Sequence, residues 1–262
     1  MSILQKIVAR KRQEVVENKS RIAVSKLEKH PLFDVQAKKL TNFLIDPSKT
    51  GIIAEFKRRS PSKGIINDKI APEQIAKWYE NAGASAISVL TDKDFFGGSY
   101  DDIAIVRETV HIPILRKDFI IDEYQLIEAK ALGADVVLLI AAILTPKEII
   151  QFTNVAKNLG LSVLLEVHNK LELEKSLCLG LDAVGVNNRN LNTFEVSINT
   201  SLELATYIPN EFMKIAESGI DNVDTIKQLC SAGYKGFLIG EYFMKQKNPE
   251  SEIIDFFERV KK

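Results

Sequence analysis

Three ionisable residues interrupt apolar runs that would otherwise read as buried strands: Glu55 in IIAEF, Lys117 in PILRK and Glu166 in LLEVH. A lone charge is costly to bury, so each needs a partner or a solvated cleft. Further polar residues end similar runs. Lys57, Arg58, Arg59 and Ser60 follow the first, Asp118 follows Lys117, and Asn187-Asn188-Arg189-Asn190 follows AVGV. Glu217-Ser218-Gly219 follows MKIA, and Gly240-Glu241 follows GFLI. Carboxylates beside lysines can act as general acids and bases, and a cation among them stabilises developing negative charge. An internal ion-pair filling is the competing reading. Convergence of so many of these groups on one mouth favours a site.

Gly219 and Gly240 suggest what the mouth holds. Each lies just past an apolar run, and a short helix, Glu241 to Lys245, is expected after the second. Backbone N–H groups at such turns, with a helix N-terminus behind them, suit a phosphate. Ser60 and Ser218 add hydroxyl donors.

The elements that must position these residues follow from the pattern around them. Eight short runs rich in Ile, Val and Leu recur: Ile52–Phe56, Ala86–Leu90, Pro113–Leu115, Val136–Ile140, Ser162–Val167, Ala183–Val186, Met213–Ala216 and Gly236–Ile239. Apolar at successive positions, they read as parallel strands buried on both faces. Between them lie amphipathic stretches with helix signals, among them Pro72 to Ala82, Glu123 to Leu132, Pro146 to Leu159 with Thr145 as N-cap, Asp221 to Ala232, and Pro249 to Val260. The turns GAS, GAD, GLS, GLD and GYK repeat the same helix-to-strand punctuation. Eight strands alternating with helices in 262 residues predict a single (β/α)8 TIM barrel, with the charged strand ends at its C-terminal face. Residues 1–50 lie outside the repeat. Ile3 to Asn18 has helical apolar spacing and Ser25 to Leu40 is expected to hold further helix, so an N-terminal helical extension packs on a barrel formed by residues 51–262.

Composition narrows the function classes. Lys plus Arg, 35, equals Asp plus Glu, 35, which argues against a nucleic-acid binder while leaving room for a local basic pocket. Cys178 and Cys230 have no metal-ligand spacing and read as buried free thiols, and three scattered histidines predict no metal site. The N-terminus lacks the apolar core of a signal peptide, and no run of about 18 apolar residues appears, so a cytoplasmic chain without membrane contact is expected.

Read in order, IIAEFKRRSPSKG, AISVLTDKDFFGGS, PILRKDFIIDEYQ, LLEVH, VGVNNRNLNTFEV, IAESGI and GFLIGE resemble the indole-3-glycerol-phosphate synthase family over essentially the whole chain. The combination of SPSKG, KDF and NNRNL carries most of that likeness. The resemblance implies a cofactor-free lyase of tryptophan biosynthesis. Its substrate, 1-(2-carboxyphenylamino)-1-deoxyribulose 5-phosphate, undergoes ring closure, decarboxylation and dehydration. By the same resemblance Lys117 is the general acid at the ketone oxygen and Glu166 a second acid–base group. Lys57 either meets the substrate carboxylate or acts as acid in dehydration, and Glu55 and Asn187 orient these groups. Ser60, Ser218, Gly219 and Gly240 match substrate and phosphate contacts, Arg189 and Glu217 the polar substrate chain, and Phe96, Phe119 and Leu191 the aromatic pocket. One departure stands out: Glu241-Tyr242-Phe243 follows the last strand, where the family more often has smaller residues. A phosphoribosylanthranilate isomerase would need a cysteine at a strand end, and neither cysteine is there. The expected partner is a phosphorylated small molecule, with neither nucleic acid nor membrane. Contacts with other tryptophan-pathway enzymes are left open.

Overall fold

The computed structural model describes residues 2–191 and 193–261; Met1 and Lys262, the outer ends of the two expected segments, fall outside them with Asn192. Eight parallel strands close into a barrel: β1 (Ile52–Phe56), β2 (Ala86–Leu90), β3 (Ile114–Lys117), β4 (Val136–Ile140), β5 (Ser162–Val167), β6 (Ala183–Asn187), β7 (Met213–Glu217) and β8 (Gly236–Ile239). Each pairs with the next, and β8 returns to β1 with Ile52 opposite Phe237. The expected TIM barrel is therefore present.

Five of the expected strand ranges match. β3, β6 and β7 run further than their apolar residues, to Lys117, Asn187 and Glu217. Backbone pairing continues there regardless of polarity, Leu90 opposite Lys117 and Asn187 opposite Glu217.

Side chains alternate between two cores, as a period of two requires. Ile53, Leu115, Leu138, Leu164, Ile215 and Leu238 point inward and pack together. Ile52, Ala54, Ile87, Val137, Leu165 and Val184 point outward into the layer beneath the helices. Counting two residues on from Ile53, Leu115, Leu164 and Ile215 reaches Glu55, Lys117, Glu166 and Glu217, so the same alternation turns all four toward the barrel axis.

The N-terminal segment engages both ends of the barrel. Helix Ile3–Arg21 opens with a capping box, in which Gln5 N–H donates to Ser2 Oγ and Ser2 N–H to Gln5 Oε1. Its Lys11, fully buried, reaches Asp92 Oδ2 at 3.2 Å and Asp118 Oδ1 at 2.9 Å, both beyond strand C-termini. At the opposite end, Leu40 and Leu44 join the interior core as its floor, and the Leu40 N–H donates to Ser162 Oγ.

The further helix expected between Ser25 and Leu40 is short: Val24–Leu27 is a single turn, and the next helix, Leu40–Leu44, begins only where the stretch ends. Pro31 disfavours helical backbone at the residue before it and lacks the N–H a helix interior needs. The cysteines expected to be buried are not: Cys230 is exposed, off the side of its helix that buries Ile226 and Leu229, and Cys178 is only partly buried, lying past the end of the helix Lys170–Ser176.

Candidate active site

At the C-terminal mouth Lys117 lies between two carboxylates. Its Nζ is 2.6 Å from Glu166 Oε2 and 2.8 Å from Glu217 Oε2. A second pair stands beside it, Lys57 Nζ with Glu55 Oε1 at 2.5 Å. Asn187 Nδ2 donates to Glu166 Oε1 at 3.2 Å, and Asn187 Oδ1 accepts from the Arg189 N–H.

These carboxylates fit inside the barrel because glycine occupies the facing positions. A Cβ at Gly240 would sit 2.7 Å from Glu55 Oε1, and one at Gly185 would sit 2.3 Å from Glu217 Oε1. Glycine is required at both for close approach rather than for backbone freedom.

Crowding sets the charge states. Burial works against a charged Lys117, yet Glu166, Glu217 and Glu55 hold it well above the ordinary lysine range. One ammonium cannot neutralise both neighbours equally. Burial, the Glu166 charge and Glu55 push Glu217 up to about 7 against the pull of Lys117. Glu166 goes the other way: despite burial, Lys117 and His168 keep it well below the usual carboxylate range. Environments that split two carboxyl groups in this way mark distinct acid and base roles.

The cluster sits where two compartments meet. One, about 160 Å³, is lined by Leu90, Phe96, Phe119, Leu138 and Leu191, with Ile3, Leu4 and Ile7 of the N-terminal helix across from them. Phe96 and Phe119 lie with ring centroids 5.9 Å apart. The other, about 470 Å³, is polar and lined by Lys63, Arg189, Ser218, Gly219, Gly240 and Lys245. Glu55, Lys57, Arg189 and Ser218 border both. A ligand with a flat apolar end and an anionic end matches this division.

The polar end has its own local geometry. Ser218 and Gly219 both adopt left-handed backbone, φ 66° and 75°, and Asn188 Nδ2 donates to the Ser218 carbonyl to hold that turn. For serine this conformation is strained, as is common at functional turns. Glu241 opens the helix Glu241–Met244 and lies 3.5 Å from Arg189 Nη2 and 3.9 Å from Lys63 Nζ.

All the expected site residues line one compartment or the other: Glu55, Lys57, Ser60, Phe96, Lys117, Phe119, Glu166, Asn187, Arg189, Leu191, Glu217 and Ser218 the first, with Gly219 and Gly240 in the second. Ser60 borders the apolar compartment and not the polar one, away from the turn at Gly219. Other charged residues near the strand ends turn elsewhere. Arg58 pairs with Asp102, and Arg59 donates to the Lys93 and Asp94 carbonyls. Arg116 is buried against Asp118 and Glu128.

Two contributors were not foreseen as site residues. His168 Nε2 lies 3.3 Å from Glu166 Oε1; its position two residues past Glu166 on an inward-facing register was the available signal. Ile3, Leu4 and Ile7 wall the apolar compartment, and their helical spacing was visible without indicating what they cover. Among the described residues no group of three or more His, Cys, Asp or Glu could hold a metal ion, and no helix is long and apolar enough to cross a membrane.

The comparisons agree with one another. The family model described as indole-3-glycerol phosphate synthase matches residues 4–256. A protein of that name from Bacteroides thetaiotaomicron (strain VPI-5482) is 46% identical over 258 residues, covering 98% of each chain. Another from Prochlorococcus marinus (strain MIT 9515) is 42% identical, covering 99% of this chain and 90% of its own. A solved structure described as "Native KDPGal structure" shares the fold at a TM-score of 0.56 and 13% identity, over 80% of this chain and 93% of that one. With the family match spanning nearly the whole chain and two relatives above 40% identity, the chain belongs to the indole-3-glycerol phosphate synthase family.

Proposed function

We propose that the chain converts 1-(2-carboxyphenylamino)-1-deoxyribulose 5-phosphate to indole-3-glycerol phosphate as a carboxy-lyase of tryptophan biosynthesis. The observation that carries this reading is Lys117 Nζ bridging Glu166 and Glu217 in the apolar compartment, beside the Glu55–Lys57 pair that borders both compartments. With the carboxyphenyl ring among Phe96, Phe119, Leu191 and Ile7, and the phosphate at the turn of Ser218, Gly219 and Gly240, the ketone falls between the two ends, at the lysine.

The chemistry then divides among the residues. The ring carbon bearing the carboxylate attacks the ketone carbon, and Lys117 gives a proton to the oxygen as it becomes a hydroxyl. Carbon dioxide leaves, and its bonding pair flows into the iminium formed by ring closure, so the substrate supplies its own electron sink. The hydroxyl departs as water with a second proton, and one carbon-bound proton is released to complete the indole. Glu166, ionised and in contact with Lys117, receives it. Lys57 faces the carboxylate end, and Glu55 and Asn187 orient their neighbours. Charge balance requires one net proton from solvent per turnover, since a carboxylate leaves as neutral carbon dioxide. General acid–base assistance of this kind contributes roughly 10²–10⁴-fold per group.

We read residues 1–50 as an extension of one barrel domain, 51–262, because Lys11 and Leu40 make its ends. A soluble phosphorylated substrate is consistent with a cytoplasmic enzyme. Purified chain mixed with the carboxyphenylamino substrate should generate indole fluorescence; absence of product at micromolar enzyme would overturn the reading.

A further inference from the structure

The two carboxylates that share Lys117 are not equivalent, and the source of the difference lies outside the triad. Glu166 Oε2 meets Lys117, while its Oε1 accepts a hydrogen bond from Asn187 Nδ2 at 3.2 Å and lies 3.3 Å from His168 Nε2, an ion-pair contact not aligned as a hydrogen bond. Glu217 Oε2 meets Lys117, while its Oε1 is buried against Gly185 with no hydrogen-bond partner among the described residues. One carboxylate has three nitrogen neighbours and the other has one.

His168 is itself held from behind. Glu172, one helical turn further on, places Oε2 at 3.1 Å from His168 Nδ1 and also accepts the His168 backbone N–H at 2.8 Å. Asn169 Nδ2 donates to the other Glu172 oxygen, and Asn169 caps the helix Lys170–Ser176 that carries Glu172. The ring therefore stands between two carboxylates, one in the site and one behind it. That surrounding favours the doubly protonated, cationic ring.

We propose that His168, clamped by Glu172, is a positioning residue that makes Glu166 the ionised base and leaves Glu217 as the carboxyl that retains its proton. The inference deepens the reaction proposed above and rests on it for its kinetic consequences. Its structural part, the coupling of His168 to Glu166, stands apart from any turnover. Burial opposes the charge on His168, yet its contacts with Glu166 and Glu172 hold it up at about 10. The groups facing Glu166 are Lys117 from β3, Asn187 from β6, Glu217 from β7 and His168 beyond its own strand, with Glu55 of β1 across the cluster. Of these, the side chains of Asn187 and His168 touch Glu166 and not Glu217, and His168 is the one of the two that can carry a charge, so it can distinguish the carboxylates electrostatically.

The test has two arms. In the first, the ring of His168 is followed by NMR in isotopically labelled protein. It should stay protonated past pH 8 in the wild type, and both Glu166→Gln and Glu172→Gln should lower its titration by at least about one pH unit, one unit being a tenfold change in proton affinity. An ordinary histidine titration in the wild type, or no response to either substitution, overturns the proposal whether or not the chain turns over the proposed substrate. In the second arm, His168→Gln keeps polarity and approximate size without the charge. It should lower kcat roughly 10- to 100-fold with KM changed by less than about threefold, and should move the acidic limb of the kcat/KM profile to higher pH as Glu166 becomes harder to ionise. Glu172→Gln, far from substrate, should reproduce the shift in smaller measure and add little when combined with His168→Gln. Wild-type turnover with an unmoved acidic limb in both variants overturns the proposal. No turnover in the wild type, with the NMR coupling intact, would instead count against the reaction proposed above.

Discussion

Gly185 on β6 and Glu217 on β7 occupy one shared space: a methyl group on the glycine would lie 2.3 Å from the glutamate Oε1. The inward position that would hold a side chain in an ordinary strand is left empty so that a carboxylate from the neighbouring strand can reach Lys117. Gly185→Ala should therefore push the Glu217 carboxyl off Lys117 while the barrel still closes. Displacement of this kind can cost on the order of 10²-fold in rate. Steady-state turnover, with far-UV circular dichroism as the control, checks it; kcat within twofold of wild type would mean the contact is dispensable.

Lys117→Met removes the proposed acid and leaves two buried carboxylates facing each other, which they can tolerate by sharing a proton. Turnover should fall by about 10³-fold or more with the fold retained, since an acid–base group alone accounts for roughly 10²–10⁴. Glu166→Gln should also lower kcat strongly with a smaller effect on KM. Near-normal turnover in either variant would remove that residue from the mechanism.

The position of Glu217 gives a pH dependence of stability with a definite sign. Its carboxyl is raised from the ordinary 4.5 to about 7 in the folded chain, chiefly by burial. Between those values the folded state binds the proton that the unfolded state has lost. Its contribution is thus complete below pH 4.5 and fades as pH rises through 7. Replacing it by Gln removes the titration. Chemical denaturation of wild type and Glu217→Gln from pH 5 to 8 should show the variant gaining relative stability as pH rises; a constant difference would contradict the shift.

Lys11 has no exposed side-chain surface and is shared by Glu14, Asp92 and Asp118. Lys11→Met would leave Asp92 buried without its cation and Asp118 with Arg116 alone, a change that costs about 3–5 kcal/mol in comparable sites. Because the same helix carries Ile3, Leu4 and Ile7 into the apolar compartment, KM should rise along with the loss of stability. A destabilised variant with unchanged KM would separate the anchor from the pocket wall.

Much of this architecture was legible in the residues. Ile, Val and Leu at successive positions are enough to locate a strand buried on both faces, and Glu55 or Glu166 inside such a run is conspicuous because it is so costly there. What escaped was whatever depends on the backbone alone or on distant partners. Apolarity places the ends of β3, β6 and β7 one or two residues short, because it stops before Arg116, Asn187 and Glu217 whereas hydrogen bonding does not. Arg58 and Arg116 could not be told from pocket cations by type, since only the fold brings Asp102 and Glu128 to them. His168 does not stand out beside its strand, because its meaning lies in Glu172, four residues away on the next helix.

The floor of the barrel bears on how the chain is made. Leu40 and Leu44 belong to an interior core that takes residues from Ile53 of the first strand through Leu238 of the last. During synthesis from the N-terminus, those leucines emerge nearly 200 residues before the last member of that core. The earliest part of the chain thus finishes folding among the latest. Until then it remains an apolar stretch in need of temporary shelter, the kind of segment on which chaperones act.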